Sequence, residues 1–265
     1  MVKKHELPLP SEEDIALLHK SPTTFEDDNV HKIYDEIANH FSSTRYKPWP
    51  IISRFLQSIE KHAMGLDAGC GNGKYLPLAE HLFGLDRSVN LLKHAQRAGD
   101  ADKQVVLADT LHSVTRRHIF VGILQLQHSH LTYRQDYAIS IATIHHLATE
   151  KRRVESVQSL LNSVCLNGGR ILVYVWALEQ GEDSRRAVPE NSTTSSNSKG
   201  LDVWVPWVNK ADGRVYNRYY HLFERGELRC ITEEASVQSK VKIQVVQEGY
   251  EKDNWYIELR THGSI

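Results

Sequence analysis

The 265-residue chain has only three cysteines, set far apart at Cys70, Cys165 and Cys230. That excludes a disulfide framework and a metal site built on cysteine spacing. It fits a reducing compartment, the cytoplasm or the nucleus. Charge of one sign is lacking too: 32 basic side chains against 33 acidic ones leave a formal net charge of −1. No global field draws the chain to nucleic acid, so any such binding needs a local basic face. No apolar run is long enough to span a bilayer, Met1–Pro10 lacks the apolar core of a signal peptide, and no internal repeat is visible. What is present is an ordinary globular composition and enough length for one large α/β domain with a substantial core.

The octapeptide Asp67-Ala68-Gly69-Cys70-Gly71-Asn72-Gly73-Lys74 is the most informative stretch. It follows a short apolar run and opens a segment that can be helical. Glycines at alternate positions let the backbone turn tightly and approach a ligand, and a helix start beyond them offers free N–H groups. An acid ahead of the glycines can bind an ammonium. The spacing Asp-x-Gly-x-Gly-x-Gly differs from the Gly-x-Gly-x-x-Gly of dinucleotide enzymes. It resembles motif I of the class I methyltransferases that use S-adenosylmethionine; taken alone, it is equally a tight turn.

Residues 1–24 are polar, carry Pro8, Pro10 and Pro22, and read as a flexible segment before a single domain over 25–265. Apolar residues at helical spacing predict helices over Asn29–Phe41 and from Ile51 to Ile59. Strand and helix then alternate: a strand at Met64–Ala68, a helix over Lys74–His81 shortened by Pro77, and a strand Leu82–Asp86. Next come a helix capped by Ser88, a strand Val105–Asp109, a buried strand Tyr137–Ile144, a helix Glu150–Cys165 ended by Gly168-Gly169, and a strand Arg170–Trp176. This pattern predicts an α/β, Rossmann-like fold with a doubly wound, mostly parallel sheet. Residues 181–200, rich in Ser, Thr and Asn, read as a mobile loop. Asp202–Val208 follows, then a polar turn, and Lys240–Val246 with Trp255–Leu259 predicts an antiparallel C-terminal hairpin.

Ligands of such sheets sit beyond the carboxyl ends of the strands, where Asp67, Asp86 and Asp109 fall. Asp86 suits ribose hydroxyls, or is a solvated turn aspartate. Asp109 suits an adenine amino group, or nothing. The acid-free run Ser42–Pro50 carries Arg45, Tyr46, Lys47 and Trp49, which can hold a carboxylate, a phosphate or a stacked base, or pack as a cation–π turn. His145 and His146 follow the fourth strand and can contact an acceptor or act as a base; adjacent histidines alone make no metal site. Arg218-Tyr219-Tyr220-His221 and Asp253-Asn254-Trp255-Tyr256 suit stacked bases and phosphates, although each cluster singly suits core packing.

Together these residues carry a resemblance. The runs Thr44-Arg45-Tyr46-Lys47-Pro48-Trp49-Pro50 and Val175-Trp176-Ala177-Leu178-Glu179-Gln180 are its most specific parts. With Asp67–Leu76, Asp86-Arg87-Ser88, Ile139–His146, Arg218–His221 and Asp253–Tyr256, the match covers most of residues 29–260. The chain resembles the fungal enzymes that methylate carboxymethyluridine at the tRNA wobble position, and the similar methyltransferase domain of an AlkB-type tRNA hydroxylase. The resemblance implies S-adenosylmethionine, tRNA, and a small zinc-binding activator subunit. It implies a cofactor set of Asp67, Gly69, Cys70, Gly71, Gly73, Asp86, Arg87 and Asp109. Arg45, His145 and Trp176 become the candidate catalytic residues, with Arg45 or His145 orienting an acceptor carboxylate. Tyr46, Lys47, Trp49, His146, Arg218, Tyr219, Asn254 and Trp255 become the RNA-binding set, and no residue is assigned to a metal. One departure stands out: Val114–Thr132, with the apolar run Ile119–Leu124, is inserted where the family has a short polar loop. A lineage-specific insertion or a translated intron would each produce it. The rival readings are a small-molecule methyltransferase, for example on a quinone, and a non-catalytic RNA- or partner-binding module.

Overall fold

The computed structural model describes residues 5–44, 47–112, 134–182, 184, 186–189, 200–210 and 213–265. It begins with strand β1 (His5–Glu6) and helices α1 (Glu12–Lys20) and α2 (Pro22–Glu26). A capping box starts α1: the Ser11 hydroxyl accepts from the Asp14 N–H, and the Asp14 carboxylate accepts from the Ser11 N–H. Leu18 and Phe25 are buried in a cluster with Val30, Ala148 and Tyr219. Glu26 is buried as well. It accepts from Arg152 Nε at 2.7 Å and Nη2 at 2.6 Å, and from the Ala148 N–H at 2.8 Å. The expectation of a flexible segment over 1–24 is therefore corrected for its helical part, because a few apolar anchors and one buried ion pair outweigh a polar composition.

A π-helical turn Asp27–His31 leads into α3 (Lys32–Thr44), and α4 (Pro50–Gln57) opens on a proline where the missing N–H is harmless. The alternating core follows: β2 (Met64–Ala68), β3 (His81–Asp86), α5 (Val89–Gln96), β4 (Val105–Leu107), β5 (Tyr137–Ile141), α6 (Glu150–Ser163) and β6 (Asn167–Trp176). The chain ends with β7 (Arg186–Ala187), β8 (Leu201–Val208), β9 (Val215–Leu222), α7 (Glu227–Ser239), β10 (Val241–Tyr250) and β11 (Asn254–Ser264).

The main sheet has the order β10-β11-β6-β5-β2-β3-β4. The strands from β6 to β4 run parallel, and β10 and β11 form the expected antiparallel hairpin on its edge. Side chains alternate between two cores, as strand geometry requires. Leu66, Ala68, Ala138 and Val173 face α6 and α7 together with Leu160, Leu161 and Ile231. Tyr137, Ile139, Leu172 and Tyr174 face α4 with Ile52, Phe55 and Leu56. The sheet β8–β9 stands apart, with β9 against the turn that follows β5. This is the doubly wound α/β fold read from the sequence.

Four local expectations fail. The helix expected over Lys74–His81 is a single 3-10 turn, Leu76–Leu78, because Pro77 cannot donate within it and β3 already begins at His81. The strand expected to Ile144 stops at Ile141, since Ala142 turns to φ +56° and Ile144–His146 forms a 3-10 turn. Helix α6 ends at Ser163 without help from Gly168-Gly169, which lie in β6. Within the loop expected at 181–200, β7 pairs in parallel with β1. The segment 114–132 and most of 190–200 lie outside the described residues. Helix α7 and strand β9 carried no sequence expectation. Among the described residues no helix is long and apolar enough to cross a membrane.

Candidate active site

The carboxyl ends of β2 to β6 open into one cavity of about 640 Å³. The turn after β2 forms its floor. Gly69, Gly71 and Gly73 all hold positive φ, at +85°, +54° and +75°. A Cβ on Gly71 would meet nothing within 4 Å, so the turn leaves open space on that side. A Cβ on Gly73 would lie 2.7 Å from the Ala95 Cα, so this glycine lets the turn pack on α5. Asp86 holds the turn from below. Its Oδ2 accepts from the Gly71 N–H at 2.8 Å and its Oδ1 from the Ser88 N–H at 2.9 Å. Burial pushes the Asp86 carboxyl upward against those two amides. Ser88 caps α5 by accepting from the Leu91 N–H, and Asp35 of α3 closes the same helix end by accepting from Ser88 Oγ and the Asn90 N–H.

Asp67 lies beneath the turn rather than on the wall. Both its carboxylate oxygens are buried and unpartnered among the described residues. Burial, and then the nearby Asp86 charge, push it up to about 8, with Lys74 opposing. Arg87 joins the wall to the N-terminal helices, donating to Asp109 at 3.1 Å and to Asp27 at 2.8 Å. Cys70 also lines the cavity, its thiol pushed well up by burial. This half therefore offers hydroxyl acceptors on two strand ends, a buried acid and a turn with room at one glycine. That donor set fits a nucleoside carrying an amino-acid tail.

The other half is aromatic and cationic. Trp176, Tyr220, Tyr34, Arg218 and His146 line it, and Lys47, Trp49 and Asn254 line the cavity too. His146 donates from Nδ1 to the Tyr219 carbonyl at 2.9 Å, because a carbonyl only accepts. Burial holds this imidazole down at about 3, so it is neutral at pH 7 and its Nε2 accepts. The proton on that bond comes from the Tyr34 hydroxyl, 3.1 Å away. The Tyr34 oxygen in turn accepts from Arg218 Nη1 at 2.8 Å and from the Tyr220 hydroxyl at 2.8 Å. The Tyr220 oxygen also accepts from Arg218 Nη1, at 3.0 Å. Every hydrogen bond in this network has one direction, and no basic nitrogen is left facing the cavity from it.

Several expected site residues sit elsewhere. His145 is fully buried behind the wall, its Nδ1 accepting from the Trp176 N–H at 3.2 Å. Burial also drives it well below the usual histidine range. It cannot orient an acceptor, and the neighbouring His146 reaches the wall instead because the 3-10 turn rotates the pair. Tyr219 is buried and holds His146 through its carbonyl while its hydroxyl donates to Asp202 at 2.7 Å. Trp255 donates to Glu179 Oε2 at 2.8 Å on the hairpin, off the cavity. Gly73 and Asp67 shape the floor without lining it. Arg45 and Tyr46 lie outside the described residues. The sequence reading missed Tyr34, Thr143, Arg186 and Lys252 on the wall. A tyrosine at a buried helical position needs a hydroxyl partner, and that was the signal Tyr34 offered.

Sheet order, crossover pattern and glycine turn define a class I, S-adenosylmethionine-dependent methyltransferase fold. Solved structures agree at the level of fold. The chain superposes with TM-score 0.57 on the DhpI–SAM–HEP complex, at 16% identity over 95% of this chain and 100% of that one. It gives 0.52 with an S-adenosylmethionine-dependent methyltransferase from Clostridium acetobutylicum, at 9% identity over 87% and 100%. No family model matches the chain. Sequence relatives go further. The tRNA (carboxymethyluridine(34)-5-O)-methyltransferase of Schizosaccharomyces pombe is 37% identical over 253 residues, 88% of this chain and 96% of that protein. The Saccharomyces cerevisiae protein of that name is 42% identical over 185 residues, and the Arabidopsis thaliana one 36% over 211. The chain spans only 57% and 46% of those two. It belongs to the tRNA (carboxymethyluridine(34)-5-O)-methyltransferase family.

Proposed function

We propose that the chain methylates the carboxylate of 5-carboxymethyluridine at the tRNA wobble position, using S-adenosylmethionine and giving the methyl ester. The single observation that carries this is the composition of the cavity. A nucleoside-binding floor runs directly into a cationic, aromatic chamber whose histidine, His146, has both ring nitrogens engaged. An acceptor that must lose a proton needs a base in reach. A carboxylate does not, since carboxyl pKa values lie near 4.

S-adenosylmethionine supplies a methyl group on a sulfonium, already electrophilic. The residues of this chain then have three tasks. Asp86 and Asp109 offer acceptors to ribose and adenine, and the turn leaves open space beside Gly71. Trp176, Tyr220 and Tyr34 wall the chamber against water, which leaves an entering carboxylate less solvated. Arg218 supplies the positive charge. Positioning of this kind is worth several kcal/mol. A carboxylate taking that methyl would need no proton removed, so these residues would only have to hold it in line and keep water out.

The small zinc-binding activator expected from the family resemblance belongs to the same proposal. Among the described residues β4 is a free sheet edge, with Leu107 59% exposed. Such an edge can pair with a strand from another chain. Three free thiols suit a reducing compartment, the cytoplasm or the nucleus. The test is co-expression with a zinc-ribbon activator in cells that lack this methyltransferase, followed by nucleoside mass spectrometry of their tRNA. Return of the methyl ester supports the proposal; accumulation of the free acid despite stable expression rejects it.

A further inference from the structure

Arg218 is a buried cation whose charge meets no acid. It is only 3% exposed. Its Nη1 donates to two hydroxyls, those of Tyr34 and Tyr220. Three rings surround the guanidinium, with centroids at 5.4 Å for Tyr34, 5.0 Å for Trp207 and 5.2 Å for Tyr220. Among the described residues no carboxylate pairs with it, whereas the buried Arg152 has Glu26 and the half-buried Arg170 has Glu258. Burying an unpaired charge is expensive. Hydroxyls and ring faces repay only part of that. Yet the group lines the cavity, and the network beneath it is directed so that its hydroxyls accept from it.

We propose that Arg218 is the carboxylate-binding residue of the acceptor subsite, and that it makes the enzyme select an acid over the matching amide or ester. This rests on the functional reading above and names the part of the site that reads the acceptor's charge. Nη1 is committed to the two tyrosines, so the rest of the guanidinium fork is what meets the ligand. The Tyr34 and Tyr220 oxygens accept from Arg218, and the two tyrosine protons are already committed within the network. The only donor the cluster offers an incoming oxygen is therefore the guanidinium itself. A neutral amide gains a weaker bond there and leaves the charge unpaired. The charge is also shared with three rings, which limits how far it quiets the attacking oxygen. The ester product is neutral, so the pair is lost on methylation and the product is released.

The test uses the full chain with its activator and anticodon stem-loops whose wobble uridine bears either carboxymethyl or carbamoylmethyl. Wild-type protein is expected to bind the acid at least about 10-fold more tightly than the amide. Arg218→Gln is expected to lose that preference and to raise KM for the acid about 30-fold or more, with S-adenosylmethionine affinity unchanged by calorimetry. Arg218→Lys keeps the charge without the planar fork and is expected to fall between them. An Arg218→Gln protein that binds cofactor normally and still prefers the acid by the wild-type ratio overturns the assignment. If that variant does not bind cofactor, Arg218→Lys decides, and an unchanged acid preference there also overturns it. A wild-type protein that binds cofactor but ignores the acid stem-loop overturns the functional reading, and this assignment with it. A merely structural Arg218 would weaken acid and amide binding alike.

Discussion

Replacing Gly71 and Gly73 by alanine, one at a time, should have different consequences. At Gly71 the backbone holds φ +54° and a new methyl meets nothing within 4 Å. The fold bears only the left-handed conformation, about 1–2 kcal/mol. At a few degrees per kcal/mol for a chain of this size, the melting temperature falls by roughly 5 °C. The methyl nevertheless projects into the cavity beside the amide that Asp86 positions. Overpacking of a fitted site costs about 1–3 kcal/mol, so S-adenosylmethionine affinity should fall about 10- to 100-fold. At Gly73 the new Cβ would lie 2.7 Å from the Ala95 Cα and 2.8 Å from its Cβ, with φ at +75°. That is backbone of α5, which cannot swing aside. Strain and overpacking add to roughly 2–5 kcal/mol, a loss of about 10 °C. Thermal unfolding by circular dichroism and titration calorimetry with S-adenosylmethionine read the two effects separately. A Gly71→Ala protein with near-normal melting and undiminished cofactor affinity would refute the placement of the cofactor on this turn.

Other outcomes follow from the same geometry. Asp67 carries a folded-state pKa pushed up to about 8, against an ordinary value near 4 when unfolded. Between those values the folded state binds more protons, so this group's contribution to stability declines as pH rises through that window. Asp67→Asn should flatten the fall in melting temperature between pH 6 and 8, and an unchanged slope would disprove the buried, partnerless carboxyl. With cofactor saturating, kcat should be level between pH 6 and 8, because His146 is held down at about 3 and both its nitrogens are engaged. An inflection near 6.5 that disappears in a His146 variant would speak for a histidine base. Glu26→Ala strands Arg152, which is 14% exposed, and removes its two short bonds. A broken buried pair costs about 3–5 kcal/mol, visible as a large drop in unfolding midpoint in urea. Asp86→Ala should abolish measurable cofactor binding, since it removes the ribose acceptor and the tether of the Gly71 amide.

Much of this was legible locally. The glycine turn, the acids near strand ends and the C-terminal hairpin lie in short windows with strong chemistry, and Asp86 and Asp109 line the cavity that follows those strands. The acceptor side was harder because it is assembled from distant pieces. Tyr34 bonds His146 across 112 positions and Arg218 across 184. On α3 Tyr34 looked like one more apolar position. His145 and His146 are neighbours in sequence, and only the turn after β5 decides which one faces the cavity. Strand β9 hid behind Arg218 and His221, both buried polar residues that break the apolar alternation. Helix α7 buries Thr232 and Ser236 on its packed face, so its stripe reads as polar. Pro77 was seen, but its effect was greater than expected, since it reduced a helix to one turn.

The account comes down to where the methyl group goes. tRNA bearing 5-carboxymethyluridine, incubated with the protein, the proposed zinc-ribbon activator and S-adenosylmethionine carrying a deuterated methyl, should yield a wobble nucleoside heavier by one labelled methyl. Mild alkali should remove all of that label, as it does from an ester. Label that survives alkali on a base or ribose, or no label on the wobble nucleoside despite cofactor binding, would contradict a cavity built for an ionised acceptor.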